Sequence, residues 1–236
     1  YRVGKMARFV LNDQGNLKKD HGTFILQRVD ENGVLKTEVA EKLIEIESQE
    51  STRFIRSVKD LQTLYEAAGY CRIFPWKQEA YWVKCEDKVV AYFIAGIDTR
   101  KAEQAIAHVI EFHGDRQALS QGLVAFKKAR RVSEIVLPLL NHEQQLKEQL
   151  MESGFERKQK MNFPGTVKLL NLIKWWEKFR ELLVESPDTL ELIQKSSGKY
   201  CIQNGSQPEW EGTEEQFAQW IFTRLPLPWP NGLNYI

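Results

Sequence analysis

Alternating hydrophobic and polar positions dominate the first 50 residues and predict short strands. Three stretches show the pattern, and polar turns separate them: RFVL, GTFILQRV and VLKTEV (residues 8–11, 22–29 and 34–39). The turn DENG is typical of a hairpin, because Asn-Gly tolerates positive φ. EVAEKLIEIES (38–48) then predicts a helix, and SQEST (48–52) predicts a linker. We therefore place a boundary near residue 50.

A regular succession of strand and helix patterns begins at residue 53. RFIR (53–56) predicts a strand, and the next segment predicts a helix that starts at Ser57, where Asp60 completes a capping box, and ends near Gly69. Four apolar positions share one face of this helix: Leu61, Leu64, Tyr65 and Ala68. Three strands follow in series, AYWVKC, VVAYFIAG and AIAHVIEF, and the first two form an antiparallel pair around the turn EDK.

Helices and strands alternate from residue 115 to residue 163. A helix over 115–131 is followed by the strand SEIVLPLL, the helix HEQQLKEQLMESG and the strand FERKQKMNF. Together with the preceding elements the order is β-α-β-β-β-α-β-α-β, which is typical of a mixed sheet with helices on both sides. The predicted fold class is therefore α/β, in the broader α+β sense.

The pattern restarts after Pro164 as a smaller domain. TVKLLN (166–171) predicts a strand, and residues 171–185 predict an amphipathic helix with one apolar side: Leu172, Trp176, Phe179 and Leu183. A meander of short strands then precedes a last helix, which Thr213 and Gln216 open as a capping box and which turns Phe217, Trp220 and Ile221 inward. The tail after this helix is predicted to be extended, because its prolines remove N–H donors.

Composition narrows the classes of function. The chain of 236 residues has 33 basic and 32 acidic side chains and a formal charge of +1, so it has no net field to attract nucleic acid or an anionic membrane. No apolar run approaches the roughly 20 residues that a membrane span needs. Cys71, Cys85 and Cys201 are far apart and form no CxxC pair, which indicates neither a zinc site nor a disulfide framework. We expect a cytoplasmic protein that binds neither nucleic acid nor membrane.

Several stretches resemble the GNAT superfamily of acetyltransferases. ESGFERKQ (152–159) is similar to the segment that closes that fold. RFIRSVKDLQTLYE (53–66) and YWVKCEDKVVAYFIAG (81–96) resemble the central, degenerate GNAT repeat of the enhanced intracellular survival family. GTVKLLNLIKWWEKF (165–179) and WEGTEEQFAQWIF (210–222) resemble the first and last helices of the sterol-carrier-protein-like domain in that family.

This resemblance divides the chain into an unassigned hairpin and helix (1–50), a GNAT-like domain (51–164) and a small sterol-carrier-protein-like domain (165–236). It implies part of an enzyme that transfers acetyl from acetyl-CoA to an amine on a small molecule or peptide. In the family a catalytic GNAT domain precedes these parts, and since the chain opens with Tyr1, we expect that domain to be missing. The alternative is a non-catalytic interaction or oligomerisation module. We expect a homo-oligomer.

The segment HGDRQALSQGL (113–123) lies where GNAT enzymes hold the CoA pyrophosphate in a Gln/Arg-x-x-Gly-x-Gly/Ala loop. Bare backbone N–H groups at a helix N-terminus make such a loop work. The matching residues run from Arg116 to Gln121, and Leu119 stands where the first glycine belongs, so we do not expect acetyl-CoA at residues 116–121. We interpret the segment as packing, with Asp115 and Arg116 facing solvent, an apolar stripe of Leu119, Leu123 and Phe126, and a small-residue stripe of Ala118, Gly122, Ala125 and Ala129.

His108, Glu111 and His113 lie around the end of a predicted strand. In regular alternation positions 108 and 110 share one face and positions 109, 111 and 113 the other, so Glu111 and His113 point the same way. Such a pair suits a general base or a metal site, although a plain strand-end contact is the more frequent case. The basic run 127–131 ends a helix, where it complements the helix dipole; a phosphate patch is the alternative.

The resemblance supplies one catalytic candidate, the chain terminus. In the family the free C-terminal carboxylate reaches the catalytic domain and orients or deprotonates the amine, and in this sequence that group belongs to Ile236. Docking of two domains by the tail is the alternative. Trp175 and Trp176 are adjacent and cannot share a helix face, so one of them is expected to reach a neighbouring domain or a pocket mouth. A carrier of an apolar ligand is a weaker alternative, because a domain of this size is expected to fill its own core.

Overall fold

The computed structural model describes residues 5–12, 24–50, 53–98, 100, 104–140, 143–162, 171–182 and 189–222. The chain divides between Met161 and Asn162 into two compact units. In the described residues no helix combines the length and the apolarity needed to cross a bilayer.

A seven-stranded mixed sheet forms the first unit. Its strands are β1 (Lys5–Leu11), β2 (Phe24–Arg28), β3 (Lys77–Cys85), β4 (Lys88–Asp98), β5 (Ile106–Gly114), β6 (Glu134–Leu140) and β7 (Glu156–Asn162). In space they lie in the order β2-β3-β4-β5-β6-β1-β7. The pair β5–β6 is parallel, and the pairs β2–β3, β3–β4, β4–β5 and β1–β6 are antiparallel. The predicted mixed sheet is confirmed.

Helices cover both faces of this sheet. They are α1 (Thr37–Glu47), α2 (Val58–Ala67), α3 (Gly69–Ile73), α4 (Arg116–Arg130) and α5 (Gln144–Glu152). On one face Leu43 of α1 and Leu61 of α2 share a buried cluster with Tyr92 of β4. On the other face Phe126 of α4 contacts the ring of Phe93, at 5.4 Å between centroids. The predicted capping box of Ser57 and Asp60 is present at the start of α2.

The small-residue side of α4 lets that helix approach β3 closely. A Cβ atom placed on Gly122 would lie 2.5 Å from Val83 Cγ2, inside van der Waals contact. The three residues of the predicted apolar stripe, Leu119, Leu123 and Phe126, are buried. The packing interpretation of this helix is therefore confirmed along its first three turns, whereas Ala129, the last residue of the predicted small-residue stripe, is exposed.

Residues 6–12 and 24–50 are part of the sheet unit, which corrects the boundary placed near residue 50. β1 lies between β6 and β7, and β2 forms one edge by pairing with β3. The two strands do not pair with each other. Pattern alone could not show this, because both strands find their partners far away in sequence.

Two further strand predictions need correction. VLKTEV forms no strand: Glu31 and Val34 exchange two backbone hydrogen bonds around Asn32 and Gly33, which have φ of 53° and 81°, and α1 begins at Thr37. The Asn-Gly turn itself is confirmed. RFIR is also outside any strand. Ile55 in that segment is 96% exposed, so its side chain does not pack against the sheet.

The described residues of the second unit form a three-stranded antiparallel sheet and two helices. Its elements are α6 (Leu172–Phe179), β8 (Leu190–Gln194), β9 (Tyr200–Asn204), β10 (Gln207–Gly212) and α7 (Glu214–Phe222), with a 3₁₀ turn at 180–182 after α6. The predicted meander and the capping box of Thr213 and Gln216 are confirmed. Four rings form a cluster with centroids 5.2–6.5 Å apart: Trp176, Trp210, Phe217 and Trp220. They agree with a core filled by the unit's own side chains.

Candidate functional site

The sheet opens between β5 and β6. These parallel strands pair only from Ile106–Glu134 to His108–Val136, whereas β6 pairs with β1 from Ile135 to Leu140. Pro138, which has no N–H for a ladder, lies in the part of β6 beyond the β5 pairing. The two strands therefore separate towards the end of β5, directly before α4 starts.

A bulge in β5 accompanies this opening. Ile94 of β4 faces Glu111 and Ala95 faces Val109, so Ile110 is an extra residue. Because of this bulge, three residues of β5 pair with alternate residues of β4: His108 with Gly96, Glu111 with Ile94 and His113 with Tyr92. All three therefore lie on the α1 side of the sheet. The prediction that Glu111 and His113 point the same way is confirmed, whereas the opposite face predicted for His108 is wrong.

The start of α4 is helical from its first residue, which leaves no loop at residues 116–121. Leu119 is fully buried, and its N–H donates to Asp115 O at 2.9 Å. The side chain of Asp115 caps the helix by accepting from Ala118 N at 2.7 Å. The amides that a pyrophosphate would need at Ala118 and Leu119 are therefore engaged within the protein.

A carboxylate from outside α4 completes this closure. Glu50, which follows α1, accepts a hydrogen bond from Gly114 N at 2.9 Å and pairs with the Arg116 guanidinium at 2.6 and 3.0 Å. Burial alone would raise the pKa of Glu50, but His113, Arg116 and the Gly114 amide outweigh it and lower the pKa to about 2. Glu50 is thus a charged, partly buried anion at the N-terminus of α4 at neutral pH.

Arg116 does not face solvent as predicted. Its side chain is 16% exposed and also forms two hydrogen bonds to Glu143, at 3.1 and 3.0 Å. Two carboxylates, one from the residues that follow α1 and one from the start of α5, hold the guanidinium against the sheet. We call Glu50, Arg116 and Glu143, with the Gly114 amide, the α4 seal.

A cleft of about 1150 Å³ opens outside the α4 seal, between α1 and the β3–β4 turn. Its charged lining is mixed, with five acidic and four basic side chains: Glu38, Glu45, Glu50, Asp87 and Asp115, and Lys42, Lys84, Lys88 and Arg116. A lining that is balanced in this way produces little net potential for a diphosphate. The cleft therefore does not compensate for the closed helix start.

The pair Glu111 and His113 belongs to a buried ionic group. Glu111 accepts from both Arg56 NH groups, at 3.2 and 2.7 Å, and from Tyr92 Oη at 3.0 Å. Arg56 also donates to Glu47 of α1 at 2.7 Å. We call Glu47, Arg56, Tyr92 and Glu111 the α1 cluster. His113 lies between this cluster and the α4 seal, 4.0 Å from Glu111 and 3.8 Å from Glu50.

His108 stands apart from that cluster. It stacks on Trp76 with ring centroids 4.0 Å apart and planes at 4°. Burial, with Arg8 nearby, lowers the pKa of His108 to about 4. His108 is therefore a neutral packed side chain at pH 7.

The remaining candidates have structural partners. In the basic run, Lys127 donates to Val132 O at 2.9 Å and Arg130 to Glu79 at 2.8 Å. The three cysteines are free thiols, and burial raises the pKa of Cys71 to about 12. Within the described part of the chain no group of three His, Cys, Asp or Glu side chains could hold a metal ion.

Sequence reasoning missed Glu47, Glu50 and Arg56. A signal for Glu47 was present, since it continues the spacing of the buried residues Ala40 and Leu43 as positions i, i+3 and i+7, whereas Glu50 lies beyond the predicted helix. Charged residues on the apolar side of a helix indicate buried partners. Arg56 gave no such signal, because its segment has no regular structure. The carboxylate of Ile236, together with His21, His142 and Trp229, lies outside the described residues.

Comparisons with known proteins give likenesses in structure. No protein-family model and no curated protein sequence matches the chain. The structure is similar to a GCN5-related N-acetyltransferase from Anabaena variabilis, with 13% identity, a TM-score of 0.47, and coverage of 68% of this chain and 39% of that one.

Two other solved structures show comparable likeness. An aminoglycoside acetyltransferase from an uncultured soil metagenomic sample has 13% identity and a TM-score of 0.46, covering 64% of this chain and all of that one. A tandem GNAT protein from the clavulanic acid biosynthesis pathway has 12% identity and a TM-score of 0.47, covering 69% of this chain and 53% of that one. Likeness at this level assigns no residue role to this chain.

Proposed function

We propose that the chain is the non-catalytic part of an acetyl-CoA-dependent N-acetyltransferase. In this proposal the first unit is a GNAT-like interaction module that supports a catalytic domain and does not itself bind the cofactor at the start of α4. The observation that carries the proposal is the contact of Glu50 with Gly114 N and Arg116. It puts a fixed carboxylate where the resemblance puts the cofactor's pyrophosphate.

The attached carboxylate has an advantage over a free diphosphate. Glu50 is tethered beside its donors, so its effective concentration is high, and a ligand must displace it to reach Gly114 N. The N–H of Leu119 is also engaged, because it donates a hydrogen bond to Asp115 O within the helix. A ligand would have to break both arrangements to make the contacts of a pyrophosphate loop.

The acetyltransferase half of the proposal is supported by the sheet. In GNAT enzymes the sheet splits to admit the cofactor, and a backbone N–H polarises the thioester. This chain has a separation between β5 and β6 and a bulge at Ile110 on the strand that leads to α4. We interpret the sheet as a GNAT-like frame whose cofactor entrance is closed by the α4 seal.

The finer parts of the proposal follow from the sequence resemblance. They are an arrangement of the enhanced intracellular survival type, a sterol-carrier-protein-like character for residues 165–236, an amine on a small molecule or peptide as acceptor, and a homo-oligomer. A catalytic role of the Ile236 carboxylate is part of the same proposal. Light scattering tests the oligomer: a stable multiple of the chain mass is expected, and a monomer at micromolar concentration would contradict it.

Calorimetric titration with acetyl-CoA tests the central point. We expect no saturable binding tighter than about 1 mM, which corresponds to about 4 kcal/mol. Arg116→Gln is the matched control, because it removes the cation at the helix start. Saturable heat with the unchanged chain that disappears in Arg116→Gln would place the cofactor at α4 and overturn the proposal. Binding that survives in Arg116→Gln would show a cofactor site elsewhere in the chain and would overturn it equally.

A second assay follows the thiol of CoA released from acetyl-CoA in the presence of a panel of amines. The proposal predicts no release above the blank for the isolated chain. Turnover that is lost in Tyr92→Phe or in His113→Asn would identify an active site on the α1 side of β5 and would contradict the non-catalytic role.

A further inference from the structure

The α1 cluster buries more negative than positive charge. The side chains of Glu47, Arg56 and Glu111 are 1%, 3% and 2% exposed. One guanidinium therefore serves two carboxylates in a place that water hardly reaches. Tyr92 donates to Glu111 and not to Glu47, so Glu47 is the less well compensated of the two.

Glu47 also has an oxygen without a donor. Its Oε2 accepts from Arg56, whereas its Oε1 is buried and has no hydrogen-bond partner among the described residues. A charged oxygen without a donor is expensive to bury, and a neutral carboxylic acid at the same place costs much less. The geometry thus favours the protonated form of Glu47.

A second pair of buried carboxylates in the same sheet shows how such groups are usually compensated by cations and hydrogen-bond donors. We call it the edge cluster: Asp30 and Glu79, both 0% exposed, with Arg28, Lys77, Tyr81 and Arg130. Here three cations serve two carboxylates. The two oxygens of Glu79 receive hydrogen bonds from Arg130, at 2.8 Å, and from Tyr81, at 2.6 Å. Glu79 has the partners that Glu47 lacks.

The charged groups around Glu47 come from every element packed against it. The segment before α2 supplies Arg56, β5 supplies Glu111 and His113, and β4 supplies Tyr92. Burial raises the pKa of Glu47 and Glu111 adds to the rise, while Arg56 and His113 oppose it without cancelling it. Glu50, three residues further along the chain, has the opposite shift, since its pKa falls to about 2.

We propose that Glu47 binds its proton up to a higher pH than an ordinary glutamate does and that its ionisation loosens α1 from the sheet, so that α1 is a pH-sensitive strap over the start of α4. The strap acts there because the residues that follow α1 carry Glu50 into the α4 seal. A group whose pKa is higher in the folded chain contributes stability that is complete below the unfolded value and is lost as pH rises through the folded value. A rise in pH through the titration of Glu47 therefore weakens the docking of α1, whether or not the chain belongs to an acetyltransferase.

Thermal unfolding of Glu47→Gln and Glu79→Gln at pH 5.5 and pH 8 tests the proposal. Glutamine keeps the shape and removes the charge. Glu47→Gln is expected to raise Tm at pH 8 by about 2–4 °C, the shift of a roughly fivefold change in the folding equilibrium for a chain of this size, and to change it less at pH 5.5. Glu79→Gln should lower Tm at both pH values. A loss in Glu47→Gln at pH 8 as large as that in Glu79→Gln would overturn the proposal.

An NMR titration of the unchanged chain needs no variant to fold. With ¹³C-labelled glutamate carboxyl groups, the Glu47 signal should titrate above the ordinary glutamate range, and exchange protection of the α1 amides, corrected for intrinsic rates, should fall over the same pH interval. A Glu47 signal that titrates below pH 4.5 would overturn the proposal, and so would α1 protection that is constant through its titration.

Discussion

The edge cluster and the α1 cluster bury the same kind of group in one sheet and treat it differently. At the edge, Arg28, Lys77 and Arg130 are 34%, 57% and 37% exposed, so their charged ends stay in water while they reach Asp30 and Glu79. In the α1 cluster the single cation, Arg56, is itself buried. The carboxylates of the edge cluster thus have access to solvent-exposed cations, and those of the α1 cluster do not.

Position in the sheet explains this difference. β2 is an edge strand, so long basic side chains from β2, β3 and the end of α4 reach Glu79 from the solvent side. The α1 cluster lies between α1 and the central strands β4 and β5, where only a neighbouring segment of chain can supply a cation. Arg56 comes from the irregular segment before α2 and fills that role for two carboxylates.

Replacement of a cation by leucine should give the largest difference in stability loss between the two clusters. Arg56→Leu leaves Glu47 and Glu111 facing each other without a cation, and we expect it to lower the free energy of unfolding by about 3–5 kcal/mol. Arg130→Leu leaves Arg28, Lys77 and Tyr81 on Glu79 and should cost about 1 kcal/mol or less. Urea unfolding at pH 7.5 measures both. Equal losses would show that the clusters do not differ in this way.

Glu50 provides a further contrast, because it lies three residues after Glu47 and its pKa is shifted in the opposite direction. Its pKa is lowered to about 2, so its stabilising contribution is complete above the unfolded value near 4.5 and disappears as pH falls through about 2. Glu50→Gln should therefore cost about 2–3 kcal/mol at pH 7 and progressively less towards pH 2. Chemical unfolding of both proteins across this range checks the trend. A loss that is independent of pH would mean that Glu50 acts through shape and not through charge.

Replacement of the tyrosine in each cluster should give the smallest difference in stability loss between the two clusters. Tyr81→Phe removes the donor to Glu79 Oε2, for which no second partner is seen among the described residues, and should cost about 1–2 kcal/mol. Tyr92→Phe removes one donor from Glu111 Oε1, which still accepts from Arg56, and should cost about 0.5–1.5 kcal/mol. Paired thermal melts at pH 7 would show the order. The reverse order would mean that Tyr92 contributes more to its carboxylate than the geometry indicates.

Local pattern was sufficient where a helix or strand has one clearly apolar side. α1, α2, α4 and α5 and the strands from β3 to β7 were predicted within a few residues. The helices have buried positions at the helical period, and β3 to β6 are apolar runs bounded by turns. The packing role of Leu119 followed from its helical spacing with Leu123 and Phe126. These features depend on neighbours along the chain.

Long-range partners account for what was missed. The insertion of β1 between β6 and β7 depends on strands more than a hundred residues away. The opening between β5 and β6 had one sequence signal, Pro138 within an apolar run. The α4 seal had none in its own segment, because Glu50 stands in a stretch that reads as a linker and meets Arg116 only after α1 has packed on the sheet.

Backbone NMR spectra of the chain during addition of CoA test the central claim most directly. If Glu50 holds the start of α4 closed, the amide signals of Gly114 and of Arg116 to Ala118 stay in place up to about 1 mM ligand, the limit of weak binding near 4 kcal/mol. Saturable shifts centred on Gly114 and Ala118 at lower concentration would show a diphosphate displacing the carboxylate, and would contradict the account.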